Sequence, residues 1–139
     1  MDTTQLTYAV AQRLADKGAG AWRPTGPAYT AAEIAISYGP IPAAPDRAIG
    51  VTTYLQDDDP ETGLAVRMVQ VRCRGARGAP NGADIIADAA FDALHLTYQT
   101  SGIARITRSS TAPLGADGNG RQERVDNYRV IIDNPEATL

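Results

Sequence analysis

The chain holds 139 residues, 43% of them hydrophobic and 21% charged, with 13 basic against 16 acidic side chains and a formal net charge of −3, which suits one domain with a core of its own. No run approaches the roughly 18 apolar residues of a membrane span, and Met1 to Gln5 lack the basic, then apolar profile of a signal peptide, so a soluble protein made in a cytoplasm is expected. One cysteine, Cys73, and one histidine, His95, exclude an intrachain disulfide, a cysteine zinc cluster, His-rich metal sites and catalysis that needs two imidazoles.

Leu6, Val10 and Leu14 recur every fourth residue between Thr4 and Lys17, which predicts an amphipathic helix. Thr3 or Thr4 is placed to cap its start, and Lys17-Gly18 to end it. Gly18 to Thr30 is rich in glycine and proline and reads as an irregular connection whose Trp22 folds back on the core. From Ile34 the period becomes two, with Ile34, Ile36 and Tyr38 on one side of a short strand closed by Gly39-Pro40. After a proline-rich segment, Ile49, Val51, Thr53 and Leu55 alternate in a second strand, the acidic turn Asp57 to Gly63 follows, and Leu64 to Arg74 completes a hairpin.

That third strand changes phase: Leu64, Val66 and Met68 share one face, and Val69, Val71 and Cys73 share the other. A bulge near Met68-Val69 restores a single core face, and the alternative is a strand covered on both sides. Cys73 is expected among the valines as a small buried hydrophobe. Asn81 is a suitable N-cap for a helix from about Gly82 to Leu96, with Ile85, Ile86, Ala89, Ala90, Ala93 and Leu94 inward and Asp84, Asp88, Asp92 and His95 outward. Ile103 to Ser109 and Arg121 to Ile132 read as strands, the second with Tyr128, Val130 and Ile132 on one face. Residues 110–120 between them, with Pro113 and Gly115, Gly118 and Gly120, read as a mobile hairpin loop, and residues 134–139 as a flexible tail. The expected fold is a single α+β domain over 1–139: one largely antiparallel sheet with both helices on one face.

No metal, cofactor or catalytic residues are assigned. There is no phosphate-binding glycine-lysine loop, dinucleotide fingerprint, nucleophile elbow or His-Glu-x-x-His helix, and Asp117-Gly118-Asn119-Gly120 loses the register of a calcium loop. The aspartates of the second helix, one turn apart, read as a solvated face, and an enzyme is not expected. Lys17 stands as the only lysine beside twelve arginines, which reads as codon bias. Charge is banded, at −4 over residues 1–63, +4 over 64–79, −3 over 80–98, +2 over 99–124 and −2 over 125–139. Complementary bands favour self-association over nucleic-acid binding, since no aromatics interleave the arginines.

The order of parts resembles the tail terminator proteins of long-tailed bacteriophages, also labelled minor capsid or tail-to-head joining proteins. The resemblance runs from the opening helix through Ile34 to Tyr38, Pro45-Asp46-Arg47-Ala48-Ile49 leading into Val51 to Tyr54, and Val69-Gln70-Val71-Arg72-Cys73-Arg74-Gly75, to Ala87-Asp88-Ala89-Ala90-Phe91-Asp92-Ala93-Leu94. It implies a structural protein without an active site. Such a protein forms a ring, usually a hexamer, that caps the tail tube at the head-tail junction of the virion, ends its polymerisation and docks head-completion proteins. Genome DNA passes its lumen without sequence-specific binding, no membrane is involved, and assembly takes place in the bacterial host cytoplasm. On this reading Arg67, Arg72 and Arg74 are candidates to pair with Asp57, Asp58 and Asp59 of a neighbouring copy, and Ala112, Pro113, Leu114, Asp117 and Asn119 to contact a partner. The rivals are another neck protein, such as a head-side stopper or connector, and a small-molecule-binding domain with a pocket near Trp22.

Overall fold

The computed structural model describes residues 1–133; the expected flexible tail, 134–139, lies outside the described residues. The elements run α1 (Thr3–Asp16), β1 (Ala21–Trp22), β2 (Ala35–Tyr38), β3 (Ala48–Asp58), β4 (Ala65–Arg77), α2 (Gly82–Leu94), β5 (Thr97–Thr100), β6 (Ile103–Ala116) and β7 (Arg121–Ile132). The seven strands form one curled sheet in the order β1-β2-β3-β4-β7-β6-β5. Only the β1–β2 and β2–β3 pairs are parallel, so the α+β class with a largely antiparallel sheet is as expected.

Both helices press on one face. α1 buries Leu6, Val10, Ala11 and Leu14 against β3 and β2. Its start is a capping box on Asp2, not on Thr3 or Thr4: the Asp2 carboxylate accepts from Gln5 N–H while the Gln5 side chain accepts from Asp2 N–H. α2 lies over β4 and β7 and buries Ala83, Ile86, Ala87, Ala90, Ala93 and Leu94. Ile86, Ala90, Ala93 and Leu94 are inward as expected, but Ala83 and Ala87 complete the stripe in place of Ile85 and Ala89, and Ile85 is left 61% exposed with Ala89 beside it. Gly75 and Gly82 fix this docking. A Cβ on Gly75 would stand 2.3 Å from the Gly82 carbonyl carbon, so only a bare backbone lets β4 meet the helix start. Asn81 sits at the N-cap without a capping hydrogen bond from its side chain.

The expected bulge in the third strand is not there. β4 alternates from Ala65 to Arg74, with Ala65, Val69, Val71 and Cys73 buried in the core, and its register against β7 shifts only beyond that, between Arg74 and Arg77. The extra residue is in its partner: the β3 register shifts between Thr53 and Leu55, opposite Val69 and Met68, and Tyr54 is the residue squeezed out. Val66 and Met68 thus face away from the helices, half-buried. The expected loop at 110–120 is likewise mostly ladder. β6 runs on to Ala116, paired with β7 as far as Gln122, with shifts near Ser109 and Leu114 and a turn only at 117–120. Pro113 lies where β6 is a sheet edge, beyond the reach of β5 and next to a register shift against β7, the kind of position that accepts proline in a sheet. The two strands missed by pattern, β1 and β5, span two and four residues.

Candidate interaction surfaces

The sheet face opposite the helices is built from alternate residues of the central strands. At one end of the molecule the chain between β2 and β3 covers it. Gly50 is close-packed there, since a Cβ would stand 2.5 Å from the Gly39 carbonyl oxygen. Arg74 holds this segment down. It is 5% exposed and donates from Nε to the Asp46 carbonyl at 2.8 Å and from one terminal nitrogen to Pro42 and Pro45 carbonyls at 2.7 and 2.8 Å. Burial lowers its pKa, yet a guanidinium stays charged. Arg121, also buried, donates to the Ala43 carbonyl at 2.9 Å and bridges Asp46 and Asp117. Asp117 accepts from Arg121 and Asn119 backbone N–H groups and from the Arg121 side chain, which holds its carboxyl at about 2. Asp117 and Arg121 therefore belong to the turn and its anchorage.

The uncovered end of this face is mixed in character. Cross-strand rows place Leu55 beside Met68 and Arg129, and Asp57 beside Val66, Ile131 and Arg105, with Tyr98 at the end of the second row. Leu55 and Tyr98 are each 55% exposed. Arg105 lies 5.7 Å from the Tyr98 ring centroid, and Arg129 is exposed.

The structure separates the arginine strip expected on β4. Arg67 points to the helix side, where it pairs with Asp58 of its own chain at 2.7 Å. Arg72 is on the other side, half exposed and paired with Glu123 at 2.7 Å. Asp59 organises its own turn by accepting from the N–H groups of Glu61 and Thr62. Asp57 is exposed and has no ion-pair partner among the described residues. Ala112, Pro113 and Leu114 are exposed on β6, and Asn119 is exposed in the turn.

Arginines also tie α2 to the sheet. Asp126 is 1% exposed and accepts from Arg124 Nε at 2.9 Å, from Arg108 at 3.4 Å and from the Thr111 hydroxyl. Arg124 also reaches Asp88 at 3.0 Å and Asp84 at 3.3 Å, while Arg108 lies 4.0 Å over the Phe91 ring. His95 stacks on Phe91 and accepts from Arg108 N–H through Nδ1, a structural placement. Cys73 is fully buried, and that burial raises its pKa. Periodicity missed Arg74, Arg121, Asp126 and Arg124 because polar residues alternating with apolar ones look solvated in sequence.

A third surface is an aromatic groove of about 420 Å³ beside Trp22, lined in part by Tyr8, Tyr29, Ile36, Tyr38 and Pro42. Trp22 packs against the core, with the Tyr8 ring edge-on at 5.2 Å. Arg23, which also lines the groove, makes a two-pronged ion pair with Glu33, which holds the Glu33 carboxyl at about 2. Among the described residues no three His, Cys, Asp or Glu side chains gather as metal ligands, and no helix is long and apolar enough to cross a membrane.

No curated protein matches the sequence. In fold, the chain is similar to a chain of a solved particle described as the virion of a native gene transfer agent, with a TM-score of 0.59, 16% identity and coverage of 93% of this chain and 95% of that one. The family model described as bacteriophage tail terminator protein matches residues 13–134, so it takes in every strand, α2 and the last turn of α1 from Arg13. The chain belongs to the bacteriophage tail terminator family, structural proteins of the phage tail.

Proposed function

We propose that copies of this chain form a ring, most simply a hexamer, on the end of the tail tube at the head-tail junction. The ring ends tube growth and offers its outer face to a head-completion or connector protein. The family match over residues 13–134 carries this reading. The physical basis is a subunit with unlike surfaces. A tube grows because each layer repeats the surface it was added to, and a cap that binds that surface without repeating it stops an open stack. Assembly takes place in the host cytoplasm, and the lumen passes DNA without reading its sequence.

Within the ring, Arg72 and Asp57 keep the exposure needed to meet a neighbouring copy, while Arg74 and Asp59 hold the chain around that surface and Arg67 pairs with Asp58 on the helix side. The β6–β7 hairpin, with Ala112, Pro113, Leu114 and Asn119 exposed at its end, is the element that reaches a tube or head protein. The test is electron microscopy of particles made with and without the protein. A ring at the top of wild-type tails, and tails of uncontrolled length without heads in its absence, are expected. Normal-length, head-joined tails without the protein would refute the reading. Leu114→Asp, at a side chain 47% exposed, is expected to leave folding intact and to lower the fraction of head-joined tails.

A further inference from the structure

Two exposed surfaces on opposite sides of the subunit complement each other. On the uncovered sheet face, Leu55, Val66, Met68 and Ile131 form an apolar patch bordered by the cations Arg105 and Arg129 on the β6–β7 side and by the carboxylate of Asp57 on the β3 side. On the far side, the outer surface of α2 carries Ile85, 61% exposed, and Ala89, with the exposed carboxylates Asp84 and Asp88, which Arg124 of the same chain also reaches, and Asp92, which has no ion-pair partner among the described residues. A sheet covered by helices on one face only leaves its second face to be covered by something. The apolar centres match, and a sheet border with two cations against one carboxylate is complementary to the acidic border of the helix.

We infer that the uncovered sheet face of one copy receives the outer surface of α2 from the next, and that this front-to-back contact builds the ring; the inference rests on the ring reading above. Each copy then uses two different surfaces, which is the geometry that closes a ring when the rotation per copy divides a full turn. The neighbour's helix covers Met68 as the subunit's own helices cover Val69. This accounts for the phase change in β4, where apolar residues switch from one face to the other: each half of the strand has a face to bury, one inside the subunit and one between subunits.

The contact is tested by sedimentation velocity with Met68→Asp, which damages the sheet surface, and Ile85→Asp, which damages the helix surface. Each alone is expected to weaken self-association at least tenfold. Their mixture is expected to give one-to-one dimers and no larger species, because each pair retains one intact contact. If Met68→Asp abolishes assembly while Ile85→Asp has no effect, sheet faces meet each other and the inference fails. If neither variant changes ring formation, other surfaces form the ring; the terminator reading then stands and this contact does not. A wild-type chain that stays monomeric at several hundred micromolar also overturns it. If either variant fails to fold, the exposed pair Arg129→Glu and Asp92→Arg replaces them. Each is expected to weaken assembly alone, and the mixture to restore it, since reversed borders again meet with opposite sign; no restoration overturns the contact.

Discussion

Replacing Arg74 by methionine leaves a chain of similar length in place but removes the donors that three carbonyls of the β2–β3 connection depend on. Each contact, to Pro42, Pro45 and Asp46, is 2.7 to 2.8 Å long and made by a charged group. Such bonds contribute roughly 1.5–3 kcal/mol each, but burying the guanidinium opposes part of that, so we expect a net loss of about 3–5 kcal/mol. Against a domain stability of roughly 5–15 kcal/mol this is a large fraction, corresponding to a drop of about 10–15 °C in melting temperature at this chain length. Urea unfolding followed by far-UV circular dichroism measures it directly. Arg72→Met is the control: its pair with Glu123 is half exposed, and about 1 kcal/mol or less is expected. Arg74→Lys should fall between wild type and methionine, because one ammonium cannot span the three carbonyls. A methionine variant as stable as the Arg72 control would refute the assignment of Arg74 as the clamp.

Acid should weaken the fold through Glu33 and Asp117. Both are held at about 2, below ordinary values of 4.5 and 3.8, so their contribution is full above those ordinary values and is lost as pH falls toward 2. Glu33→Gln together with Asp117→Asn should flatten stability against pH in that window, and an unchanged slope would count against the assignment. The Cys73 thiol should resist a water-soluble disulfide reagent in the native protein and react at a rate that follows unfolding; fast native labelling would contradict its burial. Gly75→Ala should destabilise by about 1–3 kcal/mol or more in denaturant titration, since the added methyl meets rigid Gly82 backbone, and a neutral result would mean that α2 docks differently.

The helices and central strands were legible because their residues repeat at the period of the structure: Leu6, Val10 and Leu14 in α1, Val69, Val71 and Cys73 in β4, Tyr128, Val130 and Ile132 in β7. What was hidden is set by partners distant in sequence. β1 and β5 exist only because a neighbouring strand pairs with them, and two to four residues carry no period of their own. Residues 110–116 have loop composition, with Pro113 and Gly115, yet an edge hairpin accepts both at its bulges. Arg72 and Arg74 stand two residues apart on the same side of one strand. The first is half exposed and the second buried, because the segment around Pro42 and Pro45 crosses above only one of them. For the same reason twelve arginines, read as codon bias, include a set whose planar, forked heads perform joinery that lysine cannot. The change of phase at Met68-Val69 was visible, but its cause was not a bulge in that strand.

The last strand in chain order, β7, lies between β4 and β6 in the middle of the sheet. A nascent chain that has released β3 and β4 from the ribosome therefore holds a hairpin whose long inner edge has nowhere to go, and α2 lacks the Arg124 and Arg108 anchors that seat it. Closure waits for contacts roughly fifty residues apart in sequence, which favours slow, all-or-none folding. A shortened translation product ending before Arg121 lacks the strand that β4 and β6 both pair with, and is expected not to complete the sheet. The wiring of the sheet thus makes the finished fold depend on chains synthesised through the strand that pairs with both β4 and β6.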